Sequence, residues 1–183
     1  MKLYLVRHAG VAVRPELPPA QWHLSPEGRA AAGALADAPF WSGVRGIHAS
    51  AEPKAIGTAQ RIAARHGLPV RIEPELREVE RPWQDAGYAE TARRYLAGEA
   101  VAGWEPRGEA LSRVRGCIER IAARHAGLEV AVVSHGLALT LYLSDLLGLD
   151  GEASHRLWSE LAFPDLAVVD PEARRMERSF GQP

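Results

Sequence analysis

The run LYLV at residues 3–6 contains no polar residue and is too short for a helix of its own. Such a run fits a strand covered on both faces, which is the habit of parallel sheets. Residues 128–133 read as a second buried strand. Residues 46–50, 70–72 and 166–169 read as three more strands. Helical patterns lie between them. Ser25-Pro26-Glu27 combines an N-cap, a proline at the first helical position and an acid in the first turn, so a helix opens there and stops near Pro39. Glu52-Pro53 opens a second helix that Gly67 ends. Residues 109–125 have helical spacing in Leu111, Val114, Ile118 and Ile121, and an apolar helix covers 137–147. Strands alternating with helices of ten or more residues predict an α/β fold with a mostly parallel central sheet. The 183 residues form a single domain, 1–183, in this reading. Residues 74–107 carry three prolines, Trp83 and Trp104, with one short helix near 88–96, and read as an insertion over the sheet.

Composition narrows the function. The net charge of −1 offers no basic field for nucleic acid or an anionic membrane. Lys2 and Lys54 are the only lysines among the 22 basic residues, so a lysine stands out wherever it falls. The single Cys117 excludes an internal disulfide framework and fits a reducing cytosol, and a cytoplasmic location is expected. Arg7 and His8 interrupt the first apolar run at once, so no secretory leader is read there. The apolar stretch 137–149 is too short to span a bilayer.

Two of the buried strands end in histidine: LYLV-Arg7-His8 and VAVV-Ser134-His135-Gly136. In an open α/β sheet, ligands bind outside the carboxyl ends of the strands. If these two strands are parallel neighbours, both imidazoles meet at that edge. The helix opening after Gly136 adds free backbone N–H groups that attract anions. Other chemistries lack their residues. There is no H-E-x-x-H pair or zinc-ligand spacing, no phosphate loop ending in Gly-Lys-Ser/Thr, and no G-x-S-x-G elbow. Cys117 is followed by Ala123 where a cysteine phosphatase needs arginine. Imidazole is then the available nucleophile, and phosphorus its natural partner.

Five motifs, LVRHAG, LSPEG, HASAEPKAIGTAQRIA, LREVERP and VVSHGLAL, stand in the order seen in the histidine phosphatase superfamily, which includes the phosphoglycerate mutases. The resemblance covers about residues 2–170. It implies a three-layer α/β/α sandwich, and attack of His8 on phosphorus to give a phosphohistidine. It further implies phosphate binding by Arg7, Lys54, His135 and the N–H groups from Gly136 onward, with no metal and no cofactor. Nearby cations would keep His8 unprotonated. Arg7 can grip a phosphoryl group through two N–H bonds, and fixed donors stabilise its charge. The family's acid position falls on Glu78, with Glu80 the runner-up because alternate residues of an extended segment share a side.

The chain departs from the family pattern in two places. Lys54 stands where arginine is usual, which keeps the charge and loses the planar fork. Ala9 stands where glycine is common, and is strained if the turn requires positive φ. The extended mutase motif after the first histidine is absent, so net hydrolysis of a phosphomonoester is expected. The alternatives are a phosphatase for phosphorylated protein histidine and a catalytically weak phospho-ligand-binding pseudoenzyme. Trp83, Tyr88, Tyr95 and Trp104 either form an apolar wall or anchor this loop to the domain. Arg81, Arg93, Arg94 and Arg107 meet further anionic groups, whereas Arg113, Arg115 and Arg120 lie on a solvated face. The expected partner is a phosphorylated small molecule or a phosphoprotein. Stretch 137–149 and the C-terminal tail are expected to offer a homodimer surface. His23 and His48 are the other histidines to locate relative to the site.

Overall fold

The computed structural model describes residues 1–181; the last two residues of the C-terminal tail lie outside them. The chain runs β1 (Leu3–Arg7), α1 (Pro26–Ala36), β2 (Val44–Ala49), α2 (Pro53–His66), β3 (Val70–Ile72), α3 (Tyr88–Leu96) and α4 (Arg107–Arg124). It continues through β4 (Glu129–Ser134), α5 (Gly136–Leu147), α6 (Gly151–Ser159), β5 (Asp165–Asp170) and β6 (Arg175–Arg178). The strands form one sheet in the order β3-β2-β4-β1-β5-β6. β3, β2, β4 and β1 are parallel, while β5 and β6 return antiparallel at one edge.

The period-two pattern of the central strands divides the core. Leu3, Leu5, Val130 and Val132 face α4 and α5, packing with Ile118, Leu139 and Leu143. Tyr4, Val6, Ala131 and Val133 face the opposite side, where α2 contributes Ala55, Ala59 and Ile62 and α1 contributes Ala36. The result is the three-layer α/β/α sandwich. Each fully buried leucine or isoleucine here contributes about 1.5–3 kcal/mol, so the buried strands set the stability of the sheet that carries the site.

The predicted helix ends are formed as read. Ser25 Oγ accepts from Gly28 N at 2.9 Å with Pro26 next in line, and Gly67 closes α2 in the left-handed region at φ 65°. Two elements had no sequence reading. In α6, Asp150 accepts from Ala153 N, and only Leu157 of the helix is a buried large apolar residue. The edge strand β6, RMER, carries one apolar residue.

Helix α5 is spent on the interior. Its residues from Gly136 to Ser144 are buried, and Leu147 and Leu149 pack partly against the same core. The dimer surface expected from 137–149 is therefore not available on that helix. Among the described residues no helix is long and apolar enough to cross a membrane.

Candidate active site

The parallel register places Arg7 opposite Ser134, so the residues that follow, His8 and His135, emerge side by side at the carboxyl edge of the sheet. The ladder extends one step beyond β1, with His8 N donating to Ser134 O at 3.0 Å. The two rings lie 5.1 Å apart between centroids, at 62°. Both are buried.

The loop after His8 is held by neighbouring backbone. Ala9 N donates to Thr58 Oγ1 at 3.0 Å, and Thr58 donates in turn to Lys54 O at 2.8 Å. The N-terminus of α1 presses on the same loop. A Cβ on Gly28 would stand 1.9 Å from Gly10 O, so only glycine permits that approach. Ala9 is fully buried, and Arg174 is the one non-glycine residue at positive φ among the described residues. The strain foreseen at Ala9 is therefore absent.

His8 Nδ1 lies 2.8 Å from Ala9 O. A carbonyl only accepts, so the ring proton of neutral His8 belongs on Nδ1 and the Nε2 lone pair is left for chemistry. Burial, followed by the neighbouring His135 and Lys54, pushes the pKa of His8 well below the ordinary 6.5. Burial, then Lys54 and Arg7, does the same to His135. His135 Nε2 sits 2.8 Å from Ser50 Oγ and 3.4 Å from Glu52 Oε1, while its buried Nδ1 has no hydrogen-bond partner.

Arg7 lies across the start of α5. A Cβ on Gly136 would come within 3.3 Å of its guanidinium, a tight approach that glycine avoids. Its Nη1 donates to Leu161 O at 2.7 Å, its Cζ sits 3.4 Å over the Phe163 ring, and its buried Nε is unpartnered. Burial lowers its pKa to about 10, against the upward pull of Glu78. Even so, it is cationic at neutral pH.

Lys54 is buried in the first turn of α2. Its Nζ donates to Pro19 O at 2.7 Å and pairs with Glu52 at 2.5 Å. Glu52 is the residue that sequence reasoning missed. It looked like a helix-start acid, but its other oxygen accepts Glu78 N at 2.8 Å and approaches His135. Its short spacing to Lys54 was the available signal.

Glu78 sits at the cavity wall over the start of α5. Its carboxylate accepts from Val79 N, Ala138 N and Leu137 N at 3.0, 2.9 and 3.2 Å. The loop carrying it is clamped from behind. Glu105 receives Arg113 and a two-pronged contact from Arg77, and it also accepts Glu80 N. Burial raises the Glu105 pKa, but the Arg113 and Arg77 hydrogen bonds prevail and bring it to about 2. Arg113 also donates to the carbonyls of Glu75 and Arg77. Its placement on a solvated face is thus corrected: its partners come from a distant loop. Glu80 is exposed and lines the same cavity.

These groups surround a cavity of about 680 Å³, lined by Arg7, His8, Glu52, Lys54, Glu78 and Gly136 at one end. His135 lies behind His8 rather than in the lining. Of the expected aromatic wall, Trp83 and Tyr88 line the cavity, whereas Tyr95 and Trp104 are buried in a cluster with Leu137 and Leu141 of α5. Arg81 also lines it, with Cζ 4.2 Å over the Tyr88 ring. Arg93 and Arg94 do not reach it and pair with Glu90 and Glu99; Arg107 also lies outside the lining. His48 lies elsewhere, against Glu73 and His125, and His23 is exposed outside the cavity.

The chain matches the histidine phosphatase superfamily (branch 1) over residues 3–177. An uncharacterized protein of Mycobacterium tuberculosis is 32% identical over 160 residues, covering 81% of this chain and 75% of that one. Among solved structures, a mycobacterial glucosyl-3-phosphoglycerate phosphatase superposes with a TM-score of 0.77 at 23% identity, covering 99% of both chains. A phosphoserine phosphatase mutant from Entamoeba histolytica superposes with a TM-score of 0.78 at 18% identity, covering 99% of this chain and 96% of that one. At such identities these two likenesses establish the fold, and the match along the chain establishes the rest: this protein belongs to the histidine phosphatase superfamily.

Proposed function

We propose that the protein is a phosphatase that hydrolyses phosphomonoesters through a phosphohistidine on His8. The observation that carries this reading is the Nδ1 contact of His8 with Ala9 O, which leaves Nε2 as an unprotonated nucleophile beside the cavity. Arg7 and Lys54 supply positive charge around the incoming phosphoryl group, and the unpartnered Arg7 Nε is available as a donor to its oxygens. At the start of α5, Leu137 N and Ala138 N serve Glu78, which leaves Gly136, in the cavity lining, to add to them.

In the first step the Nε2–P bond forms as the P–O bond to the alcohol breaks. The departing alkoxide takes a proton from the carboxylic acid of Glu78. In the second step water attacks phosphorus, the new O–P bond forming as the Nε2–P bond breaks, its proton passes to the Glu78 carboxylate, and phosphate leaves. One carboxyl group acts as acid and then as base. Glu52 positions Lys54 and the Glu78 backbone. The Arg113–Glu105 clamp holds the loop between them. The segment 78–107 acts as the cover of the site.

Release of phosphate from p-nitrophenyl phosphate, compared between the native protein and His8→Ala, tests the reading. Turnover that vanishes with His8 supports it. Binding of phosphate without turnover in the native protein favours a pseudoenzyme, and turnover that survives in His8→Ala overturns the assigned nucleophile.

A further inference from the structure

Resting on the phosphatase reading, we propose that the alcohol part of the substrate is an apolar group of ring size. Besides the polar groups around His8, the cavity is lined by Val11, Val13, Trp22, Trp83, Trp158 and Phe163. Val13, Trp83 and Phe163 remain 54%, 37% and 47% exposed, and they are three of the five large hydrophobic residues exposed among those described. The other two, Ile72 and Leu128, do not line the cavity. Exposed apolar side chains gathered around one opening mark a surface for an apolar ligand.

Phe163 stands beside the polar groups. Its ring is 5.4 Å from that of His8 and covers Arg7. The atoms next to the ester oxygen therefore meet an aromatic ring. Trp22 and Trp83 touch edge to face at 4.8 Å, joining residues from two distant loops into one wall.

Of the cations lining the cavity, Lys54 is paired with Glu52 and Arg77 with Glu105, while Arg81 lies over Tyr88 with its buried Nε unpartnered. Glu78 and Glu80 line the same walls.

The test compares two esters of primary alcohols, which have similar leaving groups: cyclohexylmethyl phosphate and glucose 6-phosphate. The cyclohexylmethyl ester should have a kcat/KM higher by about tenfold or more, chiefly through KM. Val13→Ser and Trp83→Ser should each reduce that ratio several-fold, and Leu128→Ser, remote from the cavity, should leave it alone. A phosphatase that hydrolyses p-nitrophenyl phosphate yet shows no advantage for the apolar ester overturns this proposal and spares the reading beneath it. A higher kcat/KM for 3-phosphoglycerate or for a phosphohistidine protein does the same. Failure to hydrolyse any ester, with binding intact, removes the phosphatase reading and this proposal with it.

Discussion

Among the described residues two pairs of imidazoles touch, and only one looks like chemistry. His8 and His135 lie 5.1 Å apart between ring centroids, as do His48 and His125. In the second pair the two Nε2 atoms are 3.0 Å apart and His48 Nδ1 contacts Glu73 at 2.9 Å. Both nitrogens of His48 are thus used within the protein, on β2 beneath the end of α4. In the first pair His8 uses Nδ1 on its own loop, His135 leaves Nδ1 unpartnered, and the buried Lys54 and half-buried Arg7 stand beside them. Proximity of histidines therefore carries little information. The informative features are the nitrogen left free, the charges around it and the cavity in front.

The largest test of that contrast is substitution of each leading histidine. His8→Ala should lower kcat for p-nitrophenyl phosphate by more than about 10³-fold, whereas His48→Asn should keep kcat/KM within about twofold. Next comes the acid. Glu78→Gln should reduce kcat by about 10²-fold with a smaller change in KM, and an equal loss in Glu80→Gln alone would move the role two residues along. Third, Lys54→Met should raise KM by about tenfold or more, since it removes a phosphate cation and leaves the Glu52 carboxylate beside the phosphoryl group.

The pH dependence sharpens the same comparison. The folded pKa values of His8, His135 and His48 all lie below 6.5, so the unfolded chain binds more protons as pH falls through 6.5. Stability is therefore full above that pH and declines toward the lower folded values. Glu105 adds a second loss, beginning as pH falls below 4.5 and continuing toward about 2. Melting temperatures from pH 8 to pH 3 should show both phases, and His8→Gln should weaken the first. The acid limb of kcat/KM should lie below pH 6.5, because neutral His8 is the reactive form. The smallest effect is reserved for Ala9→Gly: with no positive φ to relieve, activity should stay within about twofold.

The sequence made the site legible where local rules act. A buried strand leaves an unbroken apolar run, and a residue just past its end reaches the carboxyl edge, so His8 and His135 could be paired before any coordinates. Caps announced α1 and α2 because Ser25 and Gly67 act within their own turns. Long-range pairings leave no such trace. Arg113 lay on a helix face that reads as solvated, and the carbonyls of Glu75 and Arg77, from a loop far away in the chain, half-bury it. Glu52 resembled an ordinary first-turn acid because its partners Glu78 and His135 are far away in the chain. The edge strand β6 and helix α6 were too short and too polar for their periodicity to register.

The most direct measurement is a rapid acid-free quench of the protein during turnover of p-nitrophenyl phosphate, followed by peptide mapping of the phosphoryl label. The account predicts an acid-labile, alkali-stable label on the peptide containing His8, absent from His8→Ala and present in His48→Asn. A label on His135, or turnover in which His8 is never phosphorylated, would contradict it.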